Sequence, residues 1–185
     1  MTAAPAAPED YGIVSGYDPD TMHEMIGDFE ALRTRTEQLR SELADEPDPP
    51  AELMLRGELV DRLRVGRQLD DVLAEADAAL ERSRAIGTAA QQHLACLRKA
   101  HVHQWRAEFG TSNAIFAQLV GHGNEFGPVV QAFTYQHAGK NLFDQGRFAE
   151  AADEFARALA LREEFELPDD QLDSLATARA KAADQ

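Results

Sequence analysis

Residues 138–161 of the chain read AGKNLFDQGRFAEAADEFARALAL. Small side chains recur at helical steps, Gly146 interrupts the run, and Phe148 follows shortly after it. Two helices joined by so short a break can approach closely only where one presents glycine or alanine to a bulky group on the other. The stretch therefore predicts a tight antiparallel helical hairpin. Glycine punctuation recurs at Gly66, Gly110 and Gly146. Self-similarity on that scale predicts a stack of such hairpins.

Composition supports helices. Apolar residues make up 44% of the 185 but aromatics only 7%, so the core must be built largely from alanine and leucine, which favour helix over sheet. A formal net charge of −15 repels phosphate backbones and argues against a nucleic-acid partner. The single Cys96 allows no internal disulfide and fits a reducing compartment. No segment approaches the roughly 18 consecutive apolar residues of a membrane span, and the first residues lack the basic n-region of a secretory signal. A cytoplasmic protein without membrane contacts is expected.

Three regions follow. Residues 1–20 carry Pro5, Pro8, Gly12 and Gly16 and are expected to be a flexible tail with one sticky stretch, YGIVSGY at 11–17. Asp18-Pro19-Asp20-Thr21 offers a helix start. Met22, Met25, Phe29, Leu32, Thr36, Leu39 and Leu43 then step by three and four residues. An amphipathic helix over 21–46 is expected, packed either on the body as a cap or against a second copy as a homodimeric coiled coil. The third region, 50–185, is expected to be helical at 51–65, 68–86, 89–108, 111–121, 128–144, 147–165 and 169–183, with no strand. In the last helix Leu172, Leu175, Ala176 and Ala180 fall on one side and predict a terminal cap.

The stretch 132–165 resembles a tetratricopeptide repeat. Tyr135, Ala138, Gly139 and Leu142 match the large, small, small and large positions of the family's first helix. Gly146 fills its turn, and Ala151, Phe155, Ala158 and Leu159 match its second helix. Residues 53–86 repeat the pattern through Leu59, Val60, Leu63, Leu69, Val72, Ala76, Ala79 and Leu80. A middle unit at about 89–122 is degenerate; setting Gly110 against Gly146 pairs His101 with His137, Gln104 with Lys140 and Glu108 with Asp144. The resemblance implies an all-α, right-handed α-solenoid of about three antiparallel hairpins with an extra helix at each end. It also implies a concave groove for a protein or peptide partner, with Phe133, Gln136, His137, Lys140, Phe143 and Asp144 on the third unit and His101 and Gln104 on the middle one.

Other chemistry is poorly represented. His93, Cys96, His101 and His103 lie close in sequence, but Cys96 and His103 on one helix stand about 10 Å apart, too far for one ion; no metal or cofactor is expected. Paired carboxylates such as Asp70-Asp71 and Glu163-Glu164 are ordinary helix-surface solvation. No phosphate-binding loop, nucleophile elbow or metalloprotease motif occurs. The expectation is a non-catalytic adaptor or regulator; a small-ligand or signalling-peptide sensor and a module self-associating through 21–45 are the alternatives. A large residue at Gly139 or Ala151 should overpack the hairpin and lower the urea unfolding free energy by about 1–3 kcal/mol.

Overall fold

The computed structural model describes residues 12–167 and 172–184. Among them the fold is all-α apart from one small strand pair. The order is β1 (Val14–Tyr17), β2 (Glu24–Ile26), α1 (Phe29–Ala44), α2 (Pro49–Val65), α3 (Leu69–Ile86), α4 (Ala89–Trp105), α5 (Phe109–His122), a 3-10 turn (Gly123–Phe126), α6 (Pro128–Asp144), α7 (Phe148–Glu164) and α8 (Leu172–Ala183).

Local chemistry sets the helix ends. The Asp48 carboxylate accepts from the Ala51 amide at 2.9 Å, and Pro49 and Pro50 occupy first-turn positions that need no intrahelical donor. Thr88 and Gln91 form a reciprocal capping box at the start of α4. At the other end, α2, α4 and α6 finish alike. Arg67, Ala107 and Gly146 take positive φ (55°, 57° and 73°). The next amides, of Gln68, Glu108 and Arg147, donate back to the carbonyls of Leu63, His103 and Leu142 at 2.9–3.0 Å. These are Schellman turns.

The equivalent turns fix a register that glycine spacing misreads. Arg67, Ala107 and Gly146 fall at nearly equal intervals, and α2, α4 and α6 are of the same length, 17 residues each. Gly110 is not a turn residue: it lies in the first turn of α5, beyond the left-handed position at Ala107. His101 therefore corresponds to Lys140, not His137. The same register aligns Val72, Ser112 and Ala151, all 0% exposed, and Ala76, Phe116 and Phe155 one turn later. The middle unit looks degenerate because its seam with the third is polar. Ser112 Oγ donates to Asn141 Oδ1 at 2.7 Å, and Asn141 Nδ2 donates to Asn113 Oδ1 at 2.7 Å.

Each helix packs on its successor from α1 to α8, and α2, α4 and α6 also pack on one another as a continuous layer. Three apolar clusters fill the space between the helices. One joins Leu39 of α1 to Val60, Leu63, Val72 and Ala76; the second joins Leu97 and Ala100 to Phe116, Leu119 and Ala138; the third joins Phe143, Ala151 and Phe155 to Met22 and Ala178. The closest approach is at Gly139, where an added Cβ would stand 2.6 Å from the Phe155 ring.

The N-terminal expectations need correction. Residues 13–20 are not a flexible tail and residues 21–26 are not helical: β1 and β2 pair antiparallel, and Ile13 and Met22 are buried. The rest of the expected tail, 1–11, lies outside the described residues. The capping chemistry of Asp18 is real, since its carboxylate accepts from the amides of Asp20 and Thr21 at 2.8 and 2.9 Å. It closes the loop of a β-hairpin instead of starting a helix. The true N-cap is Asp28, which accepts from the Glu30 and Ala31 amides at 2.9 Å. Met22 and Met25 consequently leave the heptad seam, Phe29 is 71% exposed, and Leu32, Thr36 and Leu39 are buried where α1 packs along α2. In α8 the buried residue is Ala178, while Ala176 and Ala180 face solvent; the side chains of Leu172 and Leu175 lie outside the described residues.

Left-handed geometry costs a residue with a Cβ about 1–2 kcal/mol that glycine avoids. Ala107→Gly should raise the urea unfolding free energy and Gly146→Ala should lower it, each by about 0.5–1 kcal/mol. Equal signs for the two would contradict the common turn geometry.

Candidate functional site

The sequence-legible part of the site lies on α6. At about 100° per residue, Phe133, His137, Lys140 and Asp144 fall within an arc of about 60°. On α4, His101, Gln104 and Trp105 form the matching face, and Arg64 stands near the end of α2. Arg64, Gln104, Trp105, Lys140 and Asp144 lie near the C-terminal ends of three neighbouring helices, and His101, His137 and Phe133 continue the strip along α4 and α6. His101 and His137 meet edge to face with ring centroids 4.6 Å apart, and Phe133 packs on His137 at 4.3 Å. Gln104 Nε2 donates to the Lys140 carbonyl at 3.3 Å and lies 3.4 Å from Asp144.

Two expected groove residues point elsewhere. Gln136 and Phe143 sit about 60–80° round the axis from Phe133, toward α7. The Gln136 side-chain oxygen Oε1 accepts from Arg162 at 2.8 Å, and Phe143 packs on Phe148 at 4.8 Å within the apolar core. His93, grouped by sequence with Cys96, instead bonds Thr134 Oγ1 at 2.9 Å. Among the described residues, no three His, Cys, Asp or Glu side chains gather as a metal site.

The β-hairpin covers this strip. The His23 ring stacks on Trp105, centroids 4.2 Å apart and 12° from parallel, and its Nε2 lies 2.8 Å from Asp144 Oδ2. Arg64 donates through both terminal nitrogens to the two oxygens of Glu24, at 2.8 and 3.1 Å. Such a forked, charge-assisted pair fixes orientation as well as position. The Arg64 guanidinium also lies 4.7 Å from the Trp105 ring centre, and Lys140 Nζ stands 4.3 Å over the Tyr17 ring. Lys181 of α8 donates to Asp20. Tyr17, His23 and Glu24 were not expected here, and neither was Arg64. The signal available was charge: residues 1–28 contain six carboxylates and no lysine or arginine.

Arg64, Arg67, Lys140 and Lys181 gather around the hairpin in a chain of net charge −15. Burial would raise the Glu24 carboxyl, but the Arg64 guanidinium, assisted by Lys140, holds it well below the usual carboxylate range. Burial pushes the His101 and His137 imidazoles well below the ordinary histidine value, and the charges of Arg64 and Lys140 push further. Both rings are therefore neutral at pH 7. Trp105 Nε1, Gln104 Oε1, His137 Nδ1 and Arg64 Nε are buried without a hydrogen-bond partner among the described residues.

No protein-family model matches the chain, and searches of curated proteins and of solved structures return no match.

A histidine that stays neutral when folded but protonates when unfolded makes the unfolded chain bind more protons as pH falls. Its stabilising contribution is full above about pH 6.5 and declines below it. Glu24 acts in a lower window, being lost only as pH drops below the ordinary glutamate range. The urea unfolding free energy should thus fall by on the order of 1 kcal/mol or more from pH 7.5 to 5.0, and His101→Gln with His137→Gln should flatten that slope. A flat wild-type profile would contradict the neutral buried pair.

Proposed function

We propose that this chain is a non-catalytic protein-interaction module, a tetratricopeptide-like stack in which α2, α4 and α6 form a concave layer that binds an extended peptide or partner segment. The observation that carries this reading is the seating of residues 13–26: a β-hairpin is held on that layer by side chains from all three helices. Peptide recognition of this kind takes its affinity from a few anchors and its specificity from shape and charge. Three hairpins in equivalent register support the stack. Their repeat is longer than the family's period of about 34 residues, in keeping with the long first helices. The charged lining, with Arg64 and Lys140 beside the two histidines, favours a polar segment over a small apolar ligand.

No helix among the described residues is long and apolar enough to cross a membrane. A cytoplasmic location without membrane contacts is part of the same proposal.

The sole tryptophan, Trp105, reports on the strip directly. Peptides selected from a random display library against the intact chain should shift Trp105 emission on binding. They should bind at least tenfold more weakly to a Lys140→Met, Phe133→Ala variant. Selected peptides that leave the emission unmoved or bind the variant equally would contradict this assignment.

A further inference from the structure

We infer that the partner of this strip is an acidic, extended segment, and that the chain's own residues 13–26 hold that partner's place. The inference rests on the peptide-binding reading above and specifies the partner's chemistry and how access to the strip is controlled.

Charge is the first observation. The strip concentrates Arg64, Arg67 and Lys140 on a strongly acidic protein, with Lys181 beside it. Residues 12–28 carry Asp18, Asp20, Glu24 and Asp28 and no lysine or arginine. The second observation is the form of the contact. The hairpin does not merely cover apolar surface; it places one group in each of several recognition positions. A carboxylate enters the Arg64 fork, a planar ring lies on Trp105 beside Asp144, and an aromatic ring lies under the Lys140 ammonium. A partner satisfying the same positions is an extended segment with a planar side chain immediately before an Asp or Glu, as in His23-Glu24, and an aromatic residue nearby. The third observation is attachment. The strand pair is short, Val14–Tyr17 against Glu24–Ile26. It joins α1 through Gly27 and Asp28, where Asp28 N-caps the helix on its own account. Release of the hairpin therefore leaves the start of α1 intact. Gly27 N donates to the Ile13 carbonyl at 2.7 Å, so the hairpin closes on itself and can leave as a unit.

A tethered segment competes at an effective concentration on the order of millimolar. An external segment of equal intrinsic affinity is thus excluded until it binds much more tightly or the hairpin is loosened.

The test uses the full chain and a fluorescein-labelled synthetic peptide of residues 12–28 as probe. Glu24→Lys with His23→Ala disengages the resident hairpin; Glu24→Gln is the milder substitution if helix content by circular dichroism falls. The disengaged chain should bind the probe at least tenfold more tightly than wild type, with a shift of Trp105 emission. A probe carrying Glu24→Lys should not bind. Equal binding by wild type and variant would overturn the gating while leaving the peptide groove standing. A folded variant that ignores the probe yet binds display-selected peptides would overturn the acidic-partner chemistry. If it binds neither, the groove reading falls as well. A wild-type dimer by light scattering that becomes monomeric in the variant would assign the hairpin to a second copy and overturn the intramolecular arrangement.

Discussion

Every contact in the strip follows from how closely the paired helices approach one another. Gly139 meets the face of Phe155 so closely that one added carbon would collide with the ring, and Val72, Ser112 and Ala151, at equivalent positions after the three turns, are all fully buried. This spacing carries α2, α4 and α6 into one layer with their C-terminal ends level. Only that alignment brings Arg64, Trp105 and Asp144, the penultimate residue of one helix and the last residues of two others, into a single strip. A bulkier seam would splay the layer and separate the groups that hold the hairpin.

The strip also buries two cations, Arg64 and Lys140. Burying Arg64 and Lys140 is unfavourable unless each finds a partner, and the hairpin supplies a carboxylate for the first and an aromatic face for the second. Met22 adds an apolar anchor to the Phe143–Phe155 cluster. Docking therefore combines a desolvated forked ion pair, a stacked ring and a buried methionine, while several polar atoms beneath stay unmatched.

Much of this was legible in the sequence. Helical periodicity and small-residue spacing located every helix from α2 to α7 to within a few residues. The resemblance also set Phe133, His137, Lys140 and Asp144 together, and these four share one face of α6. Three things were hidden, each for a physical reason. Turn glycines misled the register, because arginine at 67 and alanine at 107 adopt the left-handed geometry that glycine alone would advertise. Gln136 and Phe143 were set on the groove because a resemblance assigns positions by column, whereas the rotation of α6 against α7 turns them inward. The hairpin was missed because its strands are too short to show alternation. Its Asp18 turn uses the same side-chain-to-amide bonds that cap a helix, so the local chemistry was identical for both outcomes and only the strip opposite decided between them.

Native-state hydrogen exchange across residues 13–27 and 136–142 separates a replaceable hairpin from a fixed one. An exchangeable occupant should open locally. The amides of Asp18, Met22 and Gly27, bonded within the hairpin, should then exchange much faster than those of α6, with little dependence on urea at low concentration. Exchange of both segments at one rate, rising together with urea as the whole chain unfolds, would show that the hairpin is an inseparable part of the core and contradict its role as a resident ligand.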